Sequence, residues 1–254
     1  LASLAAFLPP ARANDLPLSE TERAWIARHP VVSVGVVADN DPYSFYRNGN
    51  IMGWTVDLID RIGTMTGLEF RPRMGSWSEI YGQFQEGGLD VIADISRTEE
   101  RSRFITFTDP YHLRRTVLYE NVDDPLAKPV TVEEMQHKRI GIIRDIYYAD
   151  ALRDLGVEPV EYATYRDLMA AVAFGWVDAV LAAEMTGNYF VRENGFTNVV
   201  NAGAAPLTAI ALEDFRLGVL TGSGHGDSTI LSGILGKAVN ALPPETLDAI
   251  TDRW

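Results

Sequence analysis

The feature that most constrains this chain is an internal repeat. Two segments 88 residues apart share one pattern, in which Asp90-Val91-Ile92-Ala93 matches Asp178-Ala179-Val180-Leu181. The same offset also matches Trp77 with Tyr165, Glu79 with Asp167, Ile80 with Leu168 and Gly87 with Gly175. Each copy predicts a helix that begins just after an aromatic residue, ends at a glycine and precedes a short strand led by aspartate. We therefore expect two similar α/β lobes. Chance similarity is the alternative, since helix, glycine and strand recur throughout α/β proteins.

Local patterns elsewhere support the α/β class. The β-branched run Val31–Val37 predicts a strand that is buried on both faces of a parallel sheet. Ser19 and Glu22 have the spacing of a capping box at the start of a helix. A second helix is predicted from Trp54 to Gly67, because apolar residues recur along it and glycine is typical of a helix end.

Composition and motifs exclude several function classes. The 254 residues carry a formal net charge of −13, which disfavours nucleic acid as a partner. The absence of cysteine excludes disulfides, thiolate nucleophiles and Cys-ligated metals. The common hydrolase, metalloprotease and nucleotide-binding motifs are absent, and the four histidines lack metal-ligand spacing. We therefore expect no catalytic residue, no metal and no cofactor.

The first residues are typical of an export signal. Residues 1–8 are apolar, and two prolines and then Ala11-Arg12-Ala13 follow, as at the end of a signal peptide with its cleavage site. We therefore predict a signal-peptide remnant at residues 1–13, an entry helix at 14–29 and a periplasmic location, with membrane tethering of a longer parent protein left open. A frayed apolar tail is the alternative.

One segment carries a resemblance to a known family. Ser96-Arg97-Thr98-Glu99-Glu100-Arg101, followed by Phe107-Thr108-Asp109-Pro110-Tyr111, resembles the bacterial family 3 extracellular solute-binding proteins. Further landmarks in the same order are Pro42-Tyr43, Gly53–Leu58, Ser76-Trp77 and Gly175–Ala179. The resemblance implies a two-lobed, periplasmic-binding-protein-like Venus flytrap fold. Each lobe would be a mixed sheet flanked by helices, and two crossover strands would join the lobes.

The lobe boundaries follow from the repeat and the resemblance together. Lobe 1 is expected to hold residues 30–121 and about 205–254, and lobe 2 residues 122–204. The polar turn Asp123-Asp124-Pro125 lies between the two copies and is the predicted crossing point.

The resemblance also implies a ligand site. Arg101 would clamp a ligand carboxylate, Ser96 would add a hydrogen bond, Trp77 would pack on the ligand, and Tyr43 belongs to the same site. A guanidinium suits this role because its planar fork of donors meets a carboxylate bidentately. The alternative is local: Ser96 and Glu99 would form a capping box, and Arg101 would lie on an exposed first turn.

Three acids depart from the pattern of amino-acid binders in this family. Asp94 stands where Gly or Ser is usual, Asp145 replaces part of a Gly-Thr pair, and the usual ammonium-binding acid falls at Ala183, beside Glu184. Either Asp94 neutralises Arg101 in the empty site, or the three acids together favour a ligand with a cationic part. Ordinary solvated loops are the third interpretation.

The flanks resemble one branch of the family. Residues 18–30 and 235–254 are similar to the entry and exit helices of flytrap domains in virulence-type sensor kinases and cyclic-di-GMP signalling proteins. This resemblance implies a sensor domain that binds a small, carboxylate-bearing or amino-acid-like solute between its lobes. Hinge closure would signal to a transmembrane and cytoplasmic module.

Two other functions stay open. The chain would serve an ABC permease if it is a free periplasmic solute-binding protein. It would be an enzyme if it resembles cyclohexadienyl dehydratases, with Glu184 recruited as a general acid. Pairing into a homodimer also stays open.

Overall fold

The chain forms two compact units. The computed structural model describes residues 16–144, 146, 148–207, 212–222 and 228–254. Within these residues, unit 1 holds 16–38, 47–110 and 216–253, and unit 2 holds 39–46, 111–215 and residue 254. The predicted signal-peptide remnant, the first two residues of the predicted entry helix and Asp145 lie outside the described residues.

Helices and strands alternate along most of the described chain. The helices are α1 (Glu20–Arg28), α2 (Trp54–Thr66), α3 (Trp77–Gln85), α4 (Val132–Gln136), α5 (Ala149–Asp154), α6 (Tyr165–Ala173), α7 (Glu184–Asn194), α8 (Ser228–Asn240) and α9 (Pro244–Arg253), with a 3-10 turn at Arg101–Arg103. The strands are β1 (Val31–Val37), β2 (Phe45–Arg47), β3 (Asn50–Met52), β4 (Glu69–Gly75), β5 (Val91–Ile95), β6 (Ile105–Phe107), β7 (His112–Asn121), β8 (Ile140–Ile143), β9 (Val160–Tyr162), β10 (Ala179–Ala183), β11 (Val199–Ala204) and β12 (Leu212–Leu220).

Unit 1 is built on a mixed sheet in the order β4-β1-β5-β12. Strand β1 pairs in parallel with β4 and β5, and β12 is antiparallel to both β5 and β6. The predicted strand Val31–Val37 is confirmed as β1, and its central residues are buried as expected for an inner strand. Helix α3 packs on this sheet through Ile80 and Phe84, which are almost completely buried.

Unit 2 has a second mixed sheet in the order β7-β10-β8-β9, with β11 on the other side of β7. Strand β10 is antiparallel to β7 and parallel to β8. Ala179 and Leu181 pack in one hydrophobic cluster, whereas Val180 and Ala182 pack in another. Because neighbouring strand residues point to opposite faces, helices cover this sheet on both sides.

The internal repeat is confirmed in detail. Helix α3 and strand β5 in unit 1 match α6 and β10 in unit 2, and β5 and β10 each pair in parallel with a strand of their own unit. A Cβ on Gly35 would lie 2.5 Å from Ile80, and a Cβ on Gly141 would lie 2.9 Å from Leu168. The matched pair Ile80 and Leu168 therefore packs against a glycine of a neighbouring strand in both copies.

The predicted helix ends are confirmed, with two differences. The entry helix expected at 14–29 begins only at Glu20, because Ser19 caps α1 and residues 16–19 are not helical. Ser19 and Glu22 form the capping box of α1, and Gly67 ends α2 with a φ of 82°. The two repeat helices begin at their aromatic residue rather than just after it. Their caps are the hydroxyls of Ser76 and Thr164, each of which accepts a hydrogen bond from the backbone N–H three residues later.

The structure places in unit 2 several segments that the sequence assigned to lobe 1, namely residues 39–46, 111–121, 205–207, 212–215 and 254. For β7 the reason is strand pairing, since this strand forms ladders with β10 and β11 along most of its length. The turn after β7 is present, and Asp123 N–H donates to the side chain of Asn121, but this turn lies inside unit 2. In the described part of the chain, no helix combines the length and apolarity that crossing a bilayer requires.

Candidate ligand-binding site

The loop after β5 brings Arg101 into a fixed position. The hydroxyl of Thr98 accepts a hydrogen bond from the backbone N–H of Arg101 at 3.1 Å, and the carbonyl of Thr98 accepts one from the Ser102 hydroxyl at 2.7 Å. Thr98, rather than Ser96 with Glu99, therefore caps this turn. Arg101 is half-buried, so the exposed position of the local alternative is not what the structure shows.

The guanidinium of Arg101 lies against two aromatic rings of α3. Its central carbon is 5.3 Å from the ring centroid of Trp77 and 5.4 Å from that of Tyr81. Its Nη1 donates a 2.9 Å hydrogen bond to the backbone carbonyl of Ser96. These contacts bring together three of the predicted site residues, Trp77, Ser96 and Arg101.

Arg101 has no acidic partner in the described residues. No Asp or Glu oxygen among them lies within the 4 Å of an ion pair with its guanidinium. Arg101 therefore carries a partly buried positive charge that no described acid compensates, in a chain with a net charge of −13. Its remaining N–H donors are suited to a carboxylate or another anion.

Asp94 lies in the same unit but is engaged elsewhere. It is 9% exposed, its φ is +54°, and its Oδ2 accepts a 2.8 Å hydrogen bond from the hydroxyl of Thr55. Asp and Asn are the non-glycine residues that tolerate this left-handed conformation best. Asp94 does not form an ion pair with Arg101, so the hypothesis that Asp94 neutralises Arg101 in the empty site is wrong for this structure.

Tyr43 belongs to an aromatic cluster of unit 2. Its ring centroid is 5.4 Å from that of His112 and 5.2 Å from that of Phe215, both edge-on, and its hydroxyl is 3.0 Å from His112 Nε2. Burial, followed by the positive charge of Arg114, lowers the pKa of His112 to about 4. The imidazole is therefore neutral at pH 7.

Arg114 and Glu213 form an ion pair that the sequence did not predict. They lie directly opposite each other on β7 and β12, with Nη1 and Oε2 3.4 Å apart, and Arg114 Nη2 donates to the Tyr165 hydroxyl at 3.1 Å. Burial works to lower the pKa of Arg114, but Tyr165 and Glu213 outweigh it and raise that pKa above its usual value. Strand pairing between distant segments creates this pair, so no local sequence signal exists for it.

Glu184 is the first residue of α7 in unit 2. Its Oε1 accepts a 3.1 Å hydrogen bond from Asn201, and its backbone carbonyl accepts one from the Tyr119 hydroxyl at 2.7 Å. Its negative charge lies at the helix N-terminus, where the helix dipole favours it. Tyr43 and Glu184 are thus placed in unit 2, and Trp77, Asp94, Ser96 and Arg101 in unit 1.

Tyr81 is a further candidate that the sequence did not point to, because the guanidinium of Arg101 also lies over its ring. It follows Trp77 by four residues, a spacing that puts two side chains on the same face of a helix. That spacing was visible in the sequence, but the approach of Arg101 from a separate loop was not.

A family model decides the affiliation of this chain. The model of the bacterial extracellular solute-binding proteins, family 3, matches residues 32–254. The chain belongs to this family. The resemblance inferred from the Ser96–Arg101 and Phe107–Tyr111 segments is therefore confirmed.

Two sensor proteins are among its relatives. Virulence sensor protein BvgS of Bordetella pertussis is 25% identical over 242 residues, which cover 93% of this chain and 19% of BvgS. Sensor protein EvgS of Escherichia coli strain K12 is 27% identical over 248 residues, which cover 95% of this chain and 20% of EvgS. The chain thus spans about a fifth of the length of these relatives.

A solved structure supports the fold. The VFT2 domain of Bordetella pertussis BvgS, crystallised as a double mutant, superposes with a TM-score of 0.75 at 24% identity. The match covers 97% of this chain and 100% of that domain. The predicted α/β, periplasmic-binding-protein-like class is confirmed.

Proposed function

We propose that this chain is the extracytoplasmic ligand-binding domain of a membrane-associated sensor and that its ligand carries a carboxylate or a similar anionic group. The observation that carries the proposal is Arg101, whose guanidinium lies on two rings without an acidic partner among the described residues. Such a cation gains a charge-assisted, bidentate interaction when a carboxylate arrives. It gives that interaction up when the ligand leaves.

The sensing part of the proposal is supported by the relatives. BvgS and EvgS are sensor proteins, and this chain matches only a fifth of each. We place the chain in the periplasm. We propose that the ligand binds between the two lobes and that their closure biases a membrane-spanning signalling module. A ligand shifts such an equilibrium only by its difference in affinity for the two states.

Roles for the remaining candidates follow from their chemistry. Asp94 and Glu184 present carboxylates, and with Asp145 we propose that they favour a ligand that also has a cationic part. We propose that Ser96 adds a polar contact to the ligand and that Tyr43 adds an aromatic one. The sequence carries none of the common hydrolase, metalloprotease or nucleotide-binding motifs, so the role that we propose is binding rather than catalysis.

The second candidate function is delivery of a solute to an ABC importer. The family description favours it, since it names extracellular solute-binding proteins. The gene downstream of Trp254 separates the two functions. A membrane span followed by a kinase or cyclase module supports sensing, whereas a stop codon and adjacent permease genes support transport.

Calorimetric titration with a panel of carboxylates and amino acids tests the binding proposal. At least one compound should bind the wild type, and Arg101→Ala should weaken it at least tenfold, because one charge-assisted pair contributes roughly 1.5–3 kcal/mol. Arg103→Ala is the matched control, because it removes an exposed arginine of the same 3-10 turn. Equal affinity of wild type and Arg101→Ala for every bound compound would remove Arg101 from the site.

A further inference from the structure

We propose that Trp77 and Tyr81 are positioning residues for Arg101, which means that their rings hold the guanidinium rather than the body of the ligand. The inference rests on the proposed function in one respect, because it takes Arg101 as the receptor of the ligand's anionic group. It adds Tyr81 to the site and gives Trp77 a different role from the ligand-packing one that the resemblance implies.

The two rings form a single support. Trp77 and Tyr81 are four residues apart on α3, their ring centroids are 5.2 Å apart and their planes differ by 14°. The guanidinium carbon of Arg101 is 5.3 Å from one centroid and 5.4 Å from the other. The cation therefore lies at nearly the same distance from both rings.

In the absence of ligand, the rings of Trp77 and Tyr81 stabilise the positive charge of Arg101. A half-buried guanidinium needs compensation for lost hydration, and a neighbouring carboxylate would supply it. That carboxylate would also occupy the N–H donors that an incoming anion must reach. Aromatic faces attract the cation through their π electrons. They leave the N–H donors in the guanidinium plane available.

The backbone completes the arrangement without adding charge. Nη1 of Arg101 donates to the carbonyl of Ser96, and Thr98 fixes the backbone N–H of Arg101. One end of the guanidinium is thus bound to a neutral acceptor, and its central carbon lies over both rings. A ligand carboxylate then meets a cation whose orientation is already set, which lowers the entropic cost of binding.

Binding of carboxylates of different length distinguishes rings that position Arg101 from rings that pack on the ligand. If the rings act on Arg101, their removal weakens every carboxylate by the same factor, including acetate, which has almost no apolar body. If the rings pack on the ligand, the loss grows with the length of its alkyl chain and vanishes for acetate.

The first experiment needs no ligand. In the NMR spectrum of the free protein, the side-chain Nε–H and the Cδ protons of Arg101, assigned from their absence in Arg101→Lys, should be shifted upfield by the ring currents. Tyr81→Leu should move them downfield, and the conservative Tyr81→Phe should restore them. Identical Arg101 signals in wild type and Tyr81→Leu would overturn the proposal.

The second experiment measures binding of acetate, butanoate and hexanoate to the wild type, Tyr81→Leu, Tyr81→Phe and Trp77→Leu. We expect each leucine variant to weaken all three acids by the same factor, about two- to fivefold, and Tyr81→Phe to restore the affinity. A loss that grows from acetate to hexanoate would overturn the positioning role while leaving Arg101 as the receptor.

The two proposals fail in different ways. If no carboxylate binds the wild type in an Arg101-dependent manner, the proposed function is wrong, and the NMR comparison still decides whether the rings hold the guanidinium. If carboxylates bind through Arg101 but the NMR signals do not respond to Tyr81→Leu, the positioning role alone is wrong.

Discussion

Gly187 is a position at which close packing excludes any larger residue. A Cβ at this position would lie 2.2 Å from Cε2 and 2.3 Å from Cζ of Tyr119. The Tyr119 ring is 1% exposed, and its hydroxyl donates to the carbonyl of Glu184 at 2.7 Å. The ring has no room to move, so only glycine fits at this turn of α7.

Gly187→Ala should therefore lower the free energy of unfolding by about 1–3 kcal/mol, as overpacking does in other cores, despite the higher helix propensity of alanine. Urea unfolding of the wild type and the variant measures this difference in the free energy of unfolding. Gly236→Ala in α8 is the control, since no atom lies within 4 Å of its added Cβ, and it should stabilise by about 0.5–1 kcal/mol. A neutral or stabilising Gly187→Ala would show that the Tyr119 ring is free to shift.

His112 should make stability depend on pH. Its pKa in the folded protein is about 4, because of burial and of Arg114, whereas the unfolded value is near 6.5. Between these values the unfolded chain binds a proton that the folded chain does not. Unfolding is therefore favoured as the pH falls from about 6.5 to about 4, by up to about 3 kcal/mol.

Comparison of the wild type with His112→Gln by urea unfolding at pH 7 and at pH 4 checks this. The wild type should lose more stability between the two pH values than the variant, since effects of other groups cancel in the difference. Parallel losses in the two proteins would contradict a lowered pKa for His112.

The sequence predicted some members of the candidate site and missed others for a physical reason. Arg101, Ser96 and Trp77 stand in short motifs, and the structure brings these three together. The hydrogen bond between Thr55 and Asp94 and the pairing of Arg114 with Glu213 are contacts between distant segments. A single sequence carries no signal for such contacts.

For single helices, the sequence rules for helix starts and helix ends predicted the structure well. The capping box of α1 and the glycine end of α2 depend on residues within one turn, and both are confirmed. The assignment of β7 to a lobe depends on its partners β10 and β11, which lie some 60 to 90 residues further along the chain. That is why the sequence placed this strand in lobe 1 and the structure places it in unit 2.

The contact of α1 with α8 also has no local signal. Lys237 Nζ donates to Glu22 Oε2 at 2.7 Å and to the carbonyl of Pro17 at 3.2 Å. Burial works to raise the pKa of Glu22, but hydrogen bonds from Lys237 and Ser19 outweigh it and hold that pKa below 4.5. The ionised form of Glu22 thus links α1 to α8 within unit 1.

Glu22→Gln should lower the free energy of unfolding at pH 7 by less than about 1 kcal/mol, because Lys237 is partly exposed to solvent. A carboxylate with a lowered pKa stabilises above its unfolded pKa and loses this contribution as the pH falls through the folded value. The difference between wild type and variant should therefore shrink below about pH 4.5. Denaturant titrations at pH 7 and pH 3 measure it, and a gap that stays constant would exclude ionised Glu22 as its source.

At the scale of the whole molecule, charge gives Arg101 its significance. The chain has 35 acidic and 22 basic residues, so its general field repels anions. An anionic ligand must therefore be attracted by a specific local cation. The chain also has two similar units connected by several chain segments, and hinge motion is common in proteins of this kind.

The absence of cysteine allows a direct test of that motion. Glu86→Cys in unit 1 and Asp154→Cys in unit 2 replace exposed residues and would carry the only two thiols of the chain, so a donor and an acceptor dye can be attached there. Since the proposed ligand stabilises a closed state through contacts with both lobes, the carboxylate that binds in calorimetry should change the transfer efficiency between the dyes. The midpoint of that change should match the calorimetric Kd. In the Arg101→Ala background, the same pair of dyes should show no change in transfer efficiency at that ligand concentration. In the Arg103→Ala background, the change should be as large as in the wild type. Calorimetric binding without any change in transfer efficiency would mean that the lobes do not close on the ligand and that the signal takes another route.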